Sequence, residues 1–290
     1  MENGTIPVSA IVLTLDEERN IAACLDSLER LGEVVVLDSH SGDRTVEIAR
    51  ARGARVVQRK FDNFSAHKNW ALDNIDFAYD WVLFVDADER ATGVLSDEIG
   101  TTISHAAARN GYYIAGENWV WGKAMRCIYP NYNLRLLRRG KGRYEDRIVH
   151  EHMVIEGPAG YLRHHLVHQD AKGIERYFDR HNHYSSLEAV EAYNLLNGKN
   201  SAGIGAANPF RRGPEGRRAL KQFAYRYLPA RPLFQFLWLY FVKGGVLDGR
   251  LGWRYCVLRM FYEYQVSLKL EELRDPDSPM SVKYRKYLER

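Results

Sequence analysis

Asp86 and Asp88, one residue apart and followed by Glu89, close the apolar run "WVLFVDADER" (81–90). Carboxylates crowded at the end of a buried strand repel one another unless something positive lies among them. In a loop, an Asp-x-Asp pair can bring both side chains to a single hard divalent cation, leaving positions for water and phosphate oxygens. Oxygen-only ligands favour Mg²⁺ or Mn²⁺ over zinc. Alone, the pair reads first as a solvated turn. Its weight comes from company: Thr14, Asp16 and Glu17 follow one earlier apolar run, and Asp38 with "SHSGD" follows another. Asp16 and Asp43 also have the plainer reading of helix caps.

The elements that would position these acids are legible in outline. "VSAIVLTL" (8–15) reads as a buried strand, and "NIAACLDSLERLG" sets Ile21, Leu25 and Leu28 at helical spacing, with Gly32 as the stop. "EVVVLDSHSGDRTVEIARARG" repeats the unit, "ARVVQRKF" and "SAHKNWALDNI" repeat it again, and "WVLFVDAD" is a fourth strand. Such alternation predicts a doubly wound α/β layer over residues 1 to about 110, whose ligands bind beyond the carboxyl ends of the strands. "NYNLRLLRR", "RIVHEHMVI" and "YLRHHLVH" read as further, antiparallel strands, and the chain turns helical from Gly173. The tail "RDPDSPMSVKYRKYLER" is polar enough to be loosely held. The predicted division is 1–172 for a nucleotide-binding and catalytic domain and 173–290 for a helical extension.

Composition excludes several classes. With 290 residues, 46% of them hydrophobic, the chain can bury a substantial core. Lys and Arg number 41 against 37 Asp and Glu, a net +4 that by itself points to neither nucleic acid nor an anionic surface, and no nucleic-acid partner is expected. Cys24, Cys127 and Cys256 are scattered, so neither a disulfide framework nor a zinc knuckle is expected. The first twenty residues carry acids where a signal peptide has bases, and no apolar run reaches the ~20 residues of a spanning helix. A cytoplasmic protein is expected.

"VLTLDEERNIAACLDSL", "VVVLDSHSGDRT", "AHKNWAL" and "WVLFVDADE", in this order and spacing, resemble the nucleotide-sugar half of family-2 inverting glycosyltransferases. The resemblance runs from residue 8 to about 170. "NYNLRLLRRGKGRY" followed by "VHE" is most similar to the WaaE-type branch of lipopolysaccharide-core β-glycosyltransferases. It implies a GT-A fold, a Rossmann-like nucleotide-diphospho-sugar transferase with a mixed sheet, here carrying the helical carboxyl-terminal extension. It also implies hexose transfer from a UDP-sugar to a lipid-linked or lipopolysaccharide acceptor. By position, Thr14, Leu15 and Glu17 match the first nucleotide-contacting loop, Asp38 the acid at the uracil or ribose, and Asp43 the end of that loop. Lys68 matches a basic residue near the donor, although it also reads as a solvated helix lysine. Asp86 matches the acid near the ribose or sugar, and Asp88 the principal ligand of an Mg²⁺ or Mn²⁺ ion.

Displacement at an anomeric carbon also needs a carboxylate to take the acceptor's proton. Glu151 of "VHE" holds that place in the resembling branch; Asp146 of the displaced "ED" pair is the runner-up, and a salt bridge is the plain reading of Glu151. Among His164, His165 and His168, the last matches a donor-side histidine of some relatives, against a structural reading for all three. Arg211, Arg212, Arg217, Arg218, Lys221, Arg226 and Arg231 lead into "PLFQFLWLYFVKGG". Bases followed by rings suit an anionic membrane surface, or else the rings pack internally. Peripheral attachment to the inner face of the bacterial plasma membrane is the matching expectation. The alternatives are a sugar-phosphate nucleotidyltransferase and a non-catalytic peripheral membrane-binding protein.

Overall fold

Ile6–Thr14 forms the first strand, β1, whose side chains alternate between two apolar layers: Val8, Ala10 and Val12 face one, Ile11 the other. The computed structural model to which it belongs describes residues 4–105, 107–120, 122–125, 131–145, 153–169, 171–198, 224–225, 228 and 230–288. Two compact units divide at Gly173.

In the first unit β1 is followed by α1 (Ile21–Ser27), β2 (Leu31–Asp38), α2 (Thr45–Ala51), β3 (Arg55–Gln58), α3 (Phe64–Asn74), β4 (Trp81–Asp86), β5 (Glu89–Ala91) and α4 (Gly93–Ser104). Next come β6 (Gly111–Val120), β7 (Lys123–Ala124), β8 (Asn131–Arg138), β9 (Gly142–Tyr144), β10 (Met153–Ile155) and β11 (Ala159–His168). The main sheet runs β3-β2-β1-β4-β8-β6-β11-β5, with β7 paired to β6 and a separate β9–β10 ladder. Strands β3, β2, β1 and β4 are parallel; β8 is antiparallel to both of its neighbours. Helices α1 and α4 cover one face through Ile21, Cys24, Leu25, Leu95 and Ile99. Helix α3 covers the other, where Ala71 and Ile75 meet Ile11, Phe84 and Tyr144. Fully buried side chains such as Ile11 and Phe84 each contribute about 1.5–3 kcal/mol.

Register decides where the acids fall. Thr14 lies opposite Asp38 of β2, and Leu13 opposite Asp86 of β4, so three adjacent parallel strands end at one level.

The second unit holds α5 (Gly173–Leu196, continuing from the boundary), α6 (Arg231–Leu237), a π-turn (Trp238–Val242), a 3₁₀ turn (Gly245–Asp248), α7 (Gly249–Glu272) and α8 (Pro279–Leu288). Its interior includes Val190, Phe236, Cys256, Val266 and Tyr284. Buried Glu188 accepts from the Tyr262 hydroxyl at 2.6 Å and the Tyr225 hydroxyl at 3.1 Å.

Three expectations are corrected. Helix α1 ends at Ser27, and Gly32 lies within β2, where a Cβ would sit 2.3 Å from the Tyr79 ring. Close approach, not helix termination, accounts for that glycine. Strand β11 is parallel to β6, and antiparallel only to β5. The polar tail forms α8, which buries Met280 and Tyr284 and is fastened where Asn194 Nδ2 donates to the Tyr287 carbonyl at 2.7 Å.

Candidate active site at the strand ends

The loops after β1 and β2 are stitched to each other. Asp16, in the left-handed region at φ 54°, accepts from the Gly42 amide at 2.8 Å, and its own amide donates to Ser41 Oγ at 2.9 Å. The Glu18 amide donates to Asp43 at 3.0 Å, and the Glu17 amide to Thr45 Oγ1 at 2.7 Å. Asp16 therefore fastens the next loop rather than capping α1. Asp43 also accepts from the Thr45 amide at 2.9 Å, so it braces the start of α2 from one residue before the N-cap position, which Arg44 holds.

At the base of these loops Asp38 is fully buried and accepts from Thr14 Oγ1 at 2.9 Å, the Ser41 amide at 3.0 Å, Gln58 Nε2 at 3.0 Å and the Ser41 hydroxyl. Burial alone would raise its pKa; the four donors reverse that and hold it below the usual carboxylate value. Leu15 is exposed. Glu17 accepts from Lys172 Nζ at 2.6 Å and Asn20 Nδ2 at 2.9 Å, yet burial still leaves its pKa raised.

Beyond β4 a second group forms around Arg135 of β8. Its Nη2 donates to Asp86 Oδ2 at 2.9 Å and to Glu89 Oε1 at 2.7 Å, while Glu89 Oε2 accepts from the Asp86 amide at 2.9 Å. Desolvation opposes the charge on Asp86, but Arg135 and Lys68 outweigh it and the carboxyl is held well below its ordinary pKa. Glu89 goes the other way: burial, reinforced by Asp86, outweighs Arg135 and raises it. The register that sets His168 opposite Glu89 brings His168 Nε2 to 3.1 Å from Asp88 Oδ2. Burial would lower that imidazole, but Asp88, Glu89 and Asp86 raise it to about 9. Lys68 is not a solvated helix lysine. It is buried in α3, its ammonium 5.0 Å from the centre of the Tyr144 ring.

Of the three sequence histidines only His168 joins the acids; His164 bonds Glu98 at 2.9 Å and His165 bonds Glu117 at 2.5 Å. Glu151 and Asp146 lie outside the described residues, as do Arg211, Arg212, Arg217, Arg218, Lys221 and Arg226. Arg231 is described, and it is committed internally: its guanidinium pairs with Glu263 at 3.1 Å and stacks 3.8 Å above Tyr225. Sequence reasoning missed Arg135 and Lys172. The signal for the first was a single cation inside the apolar "NLRLL".

Carboxylates at the ends of three parallel strands, with the buried Lys68 ammonium of α3 and the His168 imidazole of β11 beside them, lie at the sheet edge where open α/β sheets take their ligands. Residues 9–163 match the family model described as Glycosyl transferase family 2. The chain belongs to glycosyl transferase family 2. This membership decides for the glycosyltransferase reading over the nucleotidyltransferase and non-catalytic ones, and the mixed sheet with its helical extension is the architecture expected of a GT-A enzyme. The lipopolysaccharide core biosynthesis glycosyltransferase LpsC of Rhizobium meliloti is 30% identical over 193 residues, which is 63% of this chain and 71% of that protein. An uncharacterized glycosyltransferase of Rickettsia conorii is 38% identical over 96 residues, 33% of each chain. Among solved structures, the mannosyltransferase PcManGT from Pyrobaculum calidifontis, in complex with GDP-Man and Mn²⁺, aligns over 93% of this chain and 88% of that one at 16% identity and a TM-score of 0.49. Among the described residues, no three His, Cys, Asp or Glu side chains form a ready-made metal cluster, and no helix is long and apolar enough to cross a membrane.

Proposed function

We propose that this family-2 glycosyltransferase moves a hexose, with inversion, from a UDP-sugar to a lipid-borne envelope acceptor of the lipopolysaccharide-core class, using Mg²⁺ or Mn²⁺. The observation that carries the reading is the common level of Thr14, Asp38 and Asp86 at three strand ends, with Asp88, Lys68 and His168 gathered beside them. The similarity to LpsC, a lipopolysaccharide core biosynthesis glycosyltransferase, supports the acceptor class.

In this reading Asp38, Thr14 and the stitched loop through Leu15, Glu17 and Asp43 hold the uridine end of the donor. Asp86 orients the ribose or sugar. Asp88 and His168, an oxygen and a nitrogen donor 3.1 Å apart, are suited to hold the cation once His168 gives up its proton. A bound cation supplies positive charge to the leaving diphosphate. Lys68 adds a fixed charge from a buried position, where it acts with little screening. Glu151 takes the acceptor proton, with Asp146 as the runner-up. Peripheral attachment to the acceptor's membrane, at the inner face of the plasma membrane, belongs to the same reading.

Calorimetric titration of UDP with and without Mn²⁺ tests the donor half. Wild type should bind only with the cation, and Asp88→Ala should lose that binding; no binding in either condition removes the UDP reading. Glu151→Gln and Asp146→Asn test the base. The variant that keeps UDP binding but loses transfer identifies it, and full transfer by both rejects the pair.

A further inference from the structure

Between Pro232 and Val242 the chain carries no charged residue, yet the helical run there faces solvent with Leu233, Phe234, Leu237, Trp238, Phe241 and Val242. The 3₁₀ turn that follows adds Val246 and Leu247, the latter 79% exposed. A surface helix ordinarily turns its apolar stripe inward. A contiguous exposed patch of this kind marks an interaction surface.

The patch is built on a firm base. Phe236 and Leu239 are buried beneath it, and the rings of Phe236 and Tyr240 each pack edge-on against Trp253 of α7, at 5.1 and 5.5 Å. At Gly252 a Cβ would lie 1.9 Å from the Gly245 carbonyl oxygen, so the 3₁₀ turn sits directly on α7. The charges at this hairpin tip, residues 243–254, are Lys243, Arg250 and Arg254 against the single acid Asp248. Lys243 and Arg250 are exposed beside the apolar side chains. The run Arg231–Val242 is about 18 Å long, short of the ~30 Å hydrocarbon core, so it suits the boundary layer rather than a span.

We propose that this tip, Trp238 to Arg250, is a wedge that enters the headgroup region of an anionic lipid bilayer. Rings and branched side chains supply the apolar area, and the flanking cations match the negative surface. A protein partner would meet the apolar stripe equally well but gives no role to the excess of cations around it. The proposal rests on the lipid-borne acceptor reading above, and it narrows the expected membrane contact, bases together with the rings of 232–245, to the tip after Leu237.

Flotation of the full chain with vesicles tests it, using phosphatidylcholine alone and phosphatidylcholine mixed with phosphatidylglycerol. Wild type should float with the anionic vesicles and be released by salt. Phe241→Ser with Leu247→Ser should weaken binding about tenfold or more, and Lys243→Gln or Arg250→Gln about fivefold each. Quenching of tryptophan by brominated lipid, present in wild type and reduced in Trp238→Phe, gives a readout that does not depend on the double variant folding. No flotation, or flotation and quenching that these substitutions leave unchanged, overturns the proposal. So does self-association abolished by Phe241→Ser with Leu247→Ser in a chain that ignores vesicles, which would assign the patch to a second copy. UDP titration of the same variants should match wild type. Vesicle binding without UDP binding would leave the wedge standing and remove the donor reading; the reverse would remove the wedge alone.

Discussion

Arg135 holds the acidic cluster together through one nitrogen shared by Asp86 and Glu89. The Asp86 side chain is 42% exposed, against 11% for Arg135 and 6% for Glu89, so removing the cation leaves Glu89 as the uncompensated buried charge, at the low end of the about 3–5 kcal/mol that breaking a buried pair costs. Arg135→Ala should lower the urea midpoint by an amount equivalent to about 3 kcal/mol, and adding Glu89→Gln should recover part of the loss. Independent effects of the two substitutions would show that the pair is not coupled. A second residue sets an acid limit. His67 is 1% exposed, with Nδ1 at 2.7 Å from Arg59 Nη1, and burial together with Arg59 lowers its pKa to about 4. In the unfolded chain a histidine takes up its proton near pH 6.5. Between these values the unfolded state binds more protons, so stability falls as pH falls from about 6.5 towards 4, by up to about 3 kcal/mol from this group. Urea denaturation at pH 7 and pH 5 should show a smaller loss in His67→Gln than in wild type. An equal loss in both would mean that His67 titrates alike in the two states.

Among the elements, Gly252 carries the clearest steric requirement. It stands inside α7, where glycine costs about 1 kcal/mol relative to alanine, because the Gly245 carbonyl occupies the space of a side chain. Gly252→Ala should therefore destabilise despite its better helix propensity, by about 1–3 kcal/mol, as a lower melting temperature. A rise would show that the 3₁₀ turn yields freely. What the sequence made legible follows the same division between local and non-local causes. The strands β1, β2 and β4 announce themselves because both faces of a parallel sheet are buried, so each is a short continuous apolar run. The acids at their ends are legible for the same reason: polarity changes abruptly where burial stops. Arg135 was not, because its role depends on β8 inserting antiparallel beside β4, a pairing across some fifty residues that no local pattern records. Nor could spacing separate His168 from His164 and His165; the β5–β11 register does that. In α8 the signal was present and passed over: Pro279 at the first helical position, then Met280 and Tyr284 four residues apart.

For the molecule as a whole, the proposed donor site links ligand binding to global stability by mass action. The family match, residues 9–163, lies within the first unit, and so do all the acids assigned to the donor. A ligand that binds only the folded chain stabilises it by RT ln(1 + [L]/Kd), about 2.7 kcal/mol at a hundredfold excess over Kd. For domains of this size that corresponds to a rise in Tm of roughly 5–10 °C. If the cation at Asp88 and His168 is what holds the diphosphate, UDP and Mn²⁺ should raise Tm together and neither should do so alone. Chelation of the metal should cancel the rise, and so should Asp88→Asn, which keeps the side chain's shape but removes its charge. Asp88→Asn also removes the carboxylate that lies 3.1 Å from His168 Nε2, so a remaining shift in this variant would point to His168 as the dominant ligand. A UDP-dependent rise that survives chelation would instead mean that Lys68 and the stitched β1–β2 loop bind the nucleotide without a metal. It would leave the UDP reading intact and remove the cation from it.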